Sequence, residues 1–429
     1  MRISRMVPMM MLFAASAAAL LTAHQTARQP VRVFVGARLV DGSGASPIDR
    51  SVLVVQGDRI RDVATMAEPG TIPADAERID VRGKTILPGF VNAHGHVADT
   101  SGLRTGPEFY TRDNLVRQLR LYAQYGVTTV FSLGGDGPAG IALRNEPPLG
   151  RARLFVAGPV ITGTTAASAG READVNLGMG VDWLKFRVDD NLGTTPRMPA
   201  EAWQTVIARG HARQVPVAAH VFYLEDAKAV LRAGIDLIAH SIRDRPIDDE
   251  LLQLLQAHGA CVVPTLTREV STFVYESTPA FFSDEFFLRH ADAAVVQQLK
   301  DPARQAQMRT SPAAQRYKAA LAVAMQNLKT LKEAGVRIAM GTDTGPPARF
   351  QGYFEHMELE MMVQAGLTPM EAILAATGDA ARCMKKADAV GILRPGAYAD
   401  FAVYGDDPTR DIRATRSIEA VWVGGTAVR

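Results

Sequence analysis

Four times in the middle of this 429-residue chain, a helix-forming stretch ends in glycine and runs straight into a short apolar segment. The instances are Tyr125-Gly126-Val127, Ala233-Gly234-Ile235, His258-Gly259-Ala260 and Ala334-Gly335-Val336. Glycine fits the left-handed position that terminates a helix, and an apolar run without alternation fits a strand buried on both faces. Repeated, the pairing predicts parallel strands joined by helical crossovers. Candidate strands lie at 87–93, 127–133, 153–159, 182–188, 215–220, 236–240, 260–266 and 336–341. Eight of them alternating with helices predict an α/β chain folded as a (β/α)8, TIM-like barrel over residues 89–389 rather than an open sheet.

The two ends have a different texture. Val31–Val35 and Ser51–Val55 are β-branched runs punctuated by Asp41-Gly42 and Gly57-Asp58, and 400–404 and 420–423 repeat the pattern near the C-terminus. Residues 31–88 and 390–429 are therefore expected to form one small β-sandwich domain. Residues 1–23 carry Arg2 and Arg5 ahead of an apolar run, the pattern of a secretory signal peptide, so a periplasmic or secreted location is expected. The alternative for this segment is an uncleaved anchor; no later stretch is long enough to span a bilayer. Residues 268–318 interrupt the barrel rhythm with Phe273, Tyr275, Phe281, Phe282, Phe286 and Phe287. The segment follows a strand's C-terminal end, so it is expected to be a lid with an apolar inner surface or an oligomer contact.

A net charge of +2 argues against a nucleic-acid binder that works by neutralising phosphates. Two cysteines are too few for a disulfide framework, and Cys261 and Cys383 are each expected to be small core residues.

Chemistry-bearing residues gather at the predicted C-terminal strand ends. His94 and His96, two apart on an extended segment, project to one side and can share a metal ion. His220 and His240 end consecutive strands and would meet at the barrel mouth. Asp343 ends the last strand, where a carboxylate can bind metal and accept a proton from water, or simply cap a turn before Gly345-Pro346. Lys185 lies in Trp183-Leu184-Lys185-Phe186-Arg187, and strand parity turns it inward if Leu184 and Phe186 face the helices. A buried ammonium there must pair with a carboxylate, lose its proton, or be carbamylated into an anionic ligand. Arg243, Arg245 and Arg268 are candidates to hold a substrate carboxylate, or to pair with Asp244, Asp248 and Asp249 at a helix entry. Tyr223 is a candidate to polarise a carbonyl, and His356 to line the pocket or to stand behind it.

The ordered set His94-x-His96, Lys185, His220, His240 and Asp343 resembles the metal-dependent amidohydrolase superfamily. Leu87-Pro88-Gly89-Phe90-Val91-Asn92-Ala93-His94-Gly95-His96 is similar to its first-strand motif, Gly366-Leu367-Thr368-Pro369-Met370-Glu371-Ala372 to its final barrel helix, and Pro395-Gly396-Ala397-Tyr398-Ala399-Asp400 to the return into its β-sandwich. The resemblance covers residues 31–429 and is greatest to the imidazolonepropionase-related branch with the Xaa-Pro and Xaa-Arg dipeptidases. Lys185 favours the dipeptidase-like members, since imidazolonepropionases proper lack that lysine. Asn92 stands where the family usually has Asp, residues 163–180 look short, and the 268–318 insertion is unusual.

The resemblance implies one or two divalent ions, with His94, His96 and Asp343 on one, His220 and His240 on the other, and carbamylated Lys185 bridging. Imidazole and oxygen donors suit zinc. It further implies a homo-oligomer that hydrolyses an amide bond of a peptide-like or N-acyl amino acid substrate through a metal-activated hydroxide, with Asp343 handling the proton. The alternatives are lactone or cyclic-amide hydrolysis at the same centre, or a non-catalytic metal-binding scaffold. Deamination fits less well, because Tyr223 stands where such deaminases carry Glu.

Overall fold

The apolar runs form strands, and the glycines before them end helices. The computed structural model describes residues 30–429, and its stretch 90–263 contains seven parallel strands. They are β1 (Phe90–Gly95), β2 (Val127–Ser132), β3 (Arg153–Val156), β4 (Leu184–Arg187), β5 (Val217–His220), β6 (Leu237–Ala239) and β7 (Cys261–Val263). The pairing order is β3-β2-β1 in one sheet and β4-β5-β6-β7 in the other. Single bridges join them: Ile161 with Phe186 on one side, Val262 with Ile338 and Gly95 with Thr344 on the other.

The eighth predicted strand, 336–341, does not form a ladder. It threads between β7 and β1, where the Ala339 N–H donates to Val262 O (3.0 Å) and the Ala93 N–H to Met340 O (2.9 Å). The result is a TIM-barrel-like α/β fold.

Strand parity decides what each side chain meets. Leu184 and Phe186 pack into the large core shared with the helices, whereas Trp183 joins Ala218, Leu237 and Ala339 in the cluster inside the strands. The crossover helices are delimited as the residues dictate. Asp248 accepts from Leu251 N–H to open Asp249–His258, and Gly259, at φ 62°, closes it.

The predicted first strand, 87–93, splits at Gly89. Thr85–Pro88 pairs antiparallel with Phe401–Tyr404, and Phe90 opens β1. A Cβ on Gly89 would stand 2.1 Å from Thr128 Oγ1, so the chain passes from one sheet to the other where only glycine fits.

Residues from both ends of the described chain build two further sheets. One has four strands, within 31–80; the other has five and combines Arg38–Leu39 and Thr85–Pro88 with Phe401–Tyr404, Ile418–Val423 and Thr426–Ala427. They share a core in which Phe34 meets Phe401 and Trp422 edge-on at 4.9 and 5.1 Å.

One expectation is corrected. Cys261, at the start of β7, and Cys383, in the helix Gly378–Cys383, are not separate core thiols but form a disulfide across 122 residues. They lie far apart in sequence, and only the packing of that helix into the cluster it shares with Cys261, Val91 and Ala339 brings them together. Within 268–318, Tyr275, Phe282, Phe286 and Phe287 are buried against Tyr125, Tyr353 and Phe354 as a second core, while Phe273 and Phe281 are partly buried. The leader at 1–23 lies outside the described residues. Among the described residues no helix is long and apolar enough to cross a membrane.

Candidate metal centre

Six of the side chains singled out in the sequence converge where the strands end. They line one cavity of about 450 Å³ together with Arg268 and Arg349. His94 and His96 project from β1 and beyond it, as their alternation requires. His96 Nε2 lies 2.8 Å from Asp343 Oδ1, and His94 Nε2 lies 3.5 Å from the same oxygen. Lys185 Nζ stands 3.1 Å from His94 Nε2. The rings of His220 and His240 are 4.1 Å apart, and His240 is 4.6 Å from His94.

Backbone geometry aims two of these groups. His240 (φ 74°) and Asp343 (φ 55°) both adopt the left-handed region, which costs a non-glycine residue about 1–3 kcal/mol and persists where the surroundings over-determine it. Gly345 allows the loop after Asp343 to touch β1, since a Cβ there would sit 2.3 Å from His96 O.

The donor set suits a divalent cation. His94, His96 and Asp343 offer ligand atoms all within 4.8 Å of one another. Two of the histidines are turned by their second nitrogen: His96 Nδ1 bonds Gly134 O at 2.9 Å, and His240 Nδ1 bonds Thr265 Oγ1 at 2.7 Å. His220 Nε2 faces Asp189 Oδ2 at 3.1 Å, although that buried oxygen lacks an aligned hydrogen bond. His94 Nδ1 is buried with no partner.

Burial drives His94 and His240 well below the usual histidine range and His220 down to about 3, so all three are neutral imidazoles near neutral pH. Burial also brings Lys185 down to about 7. For Asp343 burial favours the neutral acid, but Arg349 and the His96 hydrogen bond outweigh it and hold the carboxyl well below the carboxylate range.

Four candidate substrate or catalytic residues stand outside this cavity. Tyr223 donates to Asp190 Oδ1 (3.0 Å) and lies beneath the Arg197 guanidinium. Arg243 is wholly buried, 2.9 Å from Glu269 Oε1. Arg245 is exposed and pairs with Asp244. His356 is spent between Thr415 Oγ1 and Tyr125 O, both at 2.9 Å. Each sits too far along its loop or helix to face the strand ends. Of the three arginines read as substrate ligands, only Arg268 reaches the cavity.

Sequence reasoning missed Arg349, which donates to both Asp343 Oδ2 and Asp343 O. It also missed two buried glutamates of the helix Tyr353–Gln364. Glu355 Oε1 accepts from Asn92 Nδ2, Thr342 Oγ1 and Thr344 Oγ1, each at 2.7 Å, locking β1 to the Asp343 loop. Asn92 thus serves as the partner of a carboxylate. Glu358 accepts from Leu266 N–H, Thr267 N–H and Thr267 Oγ1 and so orients the short helix that carries Arg268. Three acidic residues in an otherwise apolar helix before Gly366 were the signal available.

Burial raises Glu358 to about 7. The folded chain therefore holds this proton more tightly than the unfolded chain does, and this group's contribution makes stability fall as pH climbs from about 4.5 to 7. Glu358→Ala is expected to cost about 2–4 kcal/mol by orphaning two N–H groups, and to flatten that part of the slope. Thermal midpoints between pH 5 and 8 check both effects; a variant as stable as the parent at every pH would refute the capping role.

A sequence model of the Amidohydrolase family matches residues 85–428. Imidazolonepropionase of Streptomyces avermitilis is 26% identical over 426 residues, covering 91% of this chain and 90% of its own. Among solved structures, a Xaa-Pro dipeptidase with bound methionine in its active site superposes with a TM-score of 0.75 at 21% identity, over 92% of this chain and 99% of that one. The ochratoxinase of A. niger gives 0.73 at 20% identity, over 94% and 96%. At these identities the structural likenesses speak for the fold.

Proposed function

Because the chain belongs to the amidohydrolase family, we propose that it is a metal-dependent hydrolase of a peptide-like or N-acyl amino acid amide bond, acting at the His94–His96–Asp343 cluster. The observation that carries this reading is the convergence of neutral imidazoles, one ionised carboxylate and a lysine drawn down to about 7 in one cavity. A divalent ion, zinc by donor type, would supply Lewis acidity and lower the pKa of a bound water.

His94, His96 and Asp343 would hold one ion, and His220 and His240 a second. Lys185 is neutral in a large fraction of molecules near pH 7, the form that adds CO2 with loss of a proton to give a carbamate. The resulting anion would serve both positions. Asp343, kept ionised by Arg349, takes the proton of the attacking water and returns it to the leaving nitrogen. Arg268, whose helix Glu358 orients, supplies positive charge at the cavity wall for an anionic group of the substrate.

The same reading extends to the whole molecule. It is a barrel over 89–389, closed by the segment 336–341, with a β-sandwich from both ends, exported after loss of residues 1–23, and a homo-oligomer. Cyclic-amide hydrolysis is the second reading, favoured by the imidazolonepropionase relatives; Lys185 favours the linear amide.

Metal analysis with a panel of dipeptides, N-acyl amino acids, cyclic amides and lactones tests this. Chelation is expected to abolish amide hydrolysis and re-addition of zinc or manganese to restore it. A metal-free protein inert on the whole panel would return the scaffold alternative.

A further inference from the structure

The cavity offers more cationic donors than its own carboxylates engage. Arg187 ends β4 on the same strand face as Lys185 and lines the cavity, yet among the described residues its side chain has no hydrogen bond or ion pair. Arg268 also lines the cavity and is more than nine-tenths buried, at 6% exposed. Its Nη1–H donates to Glu269 Oε1 (3.0 Å), but that oxygen is shared with Arg243, and Arg268 Nε–H has no partner, with Asp343 Oδ2 3.8 Å away. Arg349 in turn occupies Asp343. In direct contact, three guanidiniums share two carboxylates. Arg187 stands apart from them.

Other acids nearby are already placed. Asp189 faces His220 and accepts from Asn191 N–H, and Asp99 accepts from Thr100 Oγ1 on the side of Gly135.

Arg187 and Arg268 approach from different sides. Arg187 ends β4, and Arg268 follows β7, the other edge of the four-stranded sheet. Three strand spacings amount to about 14 Å along the sheet. Two guanidiniums so placed, with His220 between them, suit two anionic groups better than one carboxylate gripped twice. A buried cation with an unused donor is costly alone and is relieved by an arriving anion.

We propose that Arg187 and Arg268 form a two-point anion clamp, and that the substrate is an N-acyl or aminoacyl derivative of an acidic amino acid, aspartate or glutamate. One arginine takes the α-carboxylate and the other the side-chain carboxylate, leaving the amide carbonyl over the histidine cluster. The cavity of about 450 Å³ accommodates such a molecule. This rests on the amide-hydrolase reading for the bond cut, but not for the anion binding.

Two measurements keep the readings separable. With metal-loaded protein, kcat/KM for N-acetylglutamate is expected to exceed that for N-acetylglutamine by about 100-fold, because an unmatched buried donor penalises the neutral analogue. Arg187→Gln should raise KM for N-acetylglutamate about 10-fold with kcat little changed, erasing most of the preference. Arg268→Lys, which keeps the charge beside Glu269 and so guards against misfolding, should also weaken it through the lost planar fork. Independently of turnover, calorimetry should show glutarate binding the parent protein and binding the Arg187→Gln variant about 10-fold more weakly. Selective glutarate binding with no amide turnover would sink the hydrolase reading and leave the clamp standing. Equal turnover of the acidic and neutral substrates, or glutarate binding unchanged in both variants, would overturn the clamp.

Discussion

Asp343→Asn is expected to lower kcat on the amide substrate by about 10²–10⁴-fold, the range for loss of a positioned general base. The amide keeps the side chain's shape but cannot take a proton from water. The structure adds a cost that strand position alone would not foresee. Arg349 donates to both the side chain and the carbonyl of Asp343, and the substitution leaves this guanidinium facing a neutral amide. A stability loss of about 1–3 kcal/mol should accompany the lost turnover. Adding Arg349→Met should recover part of that stability and none of the activity. Steady-state kinetics at saturating metal, with denaturant unfolding of all three variants, separates the two effects. Near-parental turnover in Asp343→Asn would remove this residue from the proton path.

The second large effect belongs to the disulfide. Cys383→Ala should cost about 3–5 kcal/mol, because the bridge closes a loop of more than a hundred residues in the unfolded chain. It also ties β7, which leads into the Arg268 helix, to the helix that precedes the return to the terminal sheets. The unreduced protein should weigh two hydrogens less than the reduced one, and reductant should lower the urea midpoint of the parent but not of the variant. Identical masses and midpoints with and without reductant would show that the thiols stay apart.

The candidate ligand set was readable because its members lie at or near strand ends. His94, His220, His240 and Asp343 each close an apolar run, Lys185 sits on the inward face of β4, and a parallel barrel delivers such ends to one mouth. The residues behind them were not readable in the same way. Glu355 and Glu358 sit on a helix buried on nearly all faces, so no polar stripe marks a side for them. Arg349 lies in a loop whose path depends on Gly345 and on contact with β1. Tyr223, Arg243, Arg245 and His356 follow strand ends in sequence, but a few residues of turn suffice to carry a side chain out of the cavity and into an ion pair, a ring contact or a core hydrogen bond.

The amino-acid sequence by itself determined the periodic βα architecture, the inward face of each strand and the six residues that meet in the cavity, because these depend on alternation and helix termination, which are local. Only the tertiary structure decided that Cys261 meets Cys383, that the aromatic insertion fills a second core, and which arginines are left with unused donors. Those outcomes depend on which distant segments compete for the same partner. A guanidinium is spent or free according to neighbours brought in from elsewhere in the chain, and no spacing rule reports that competition.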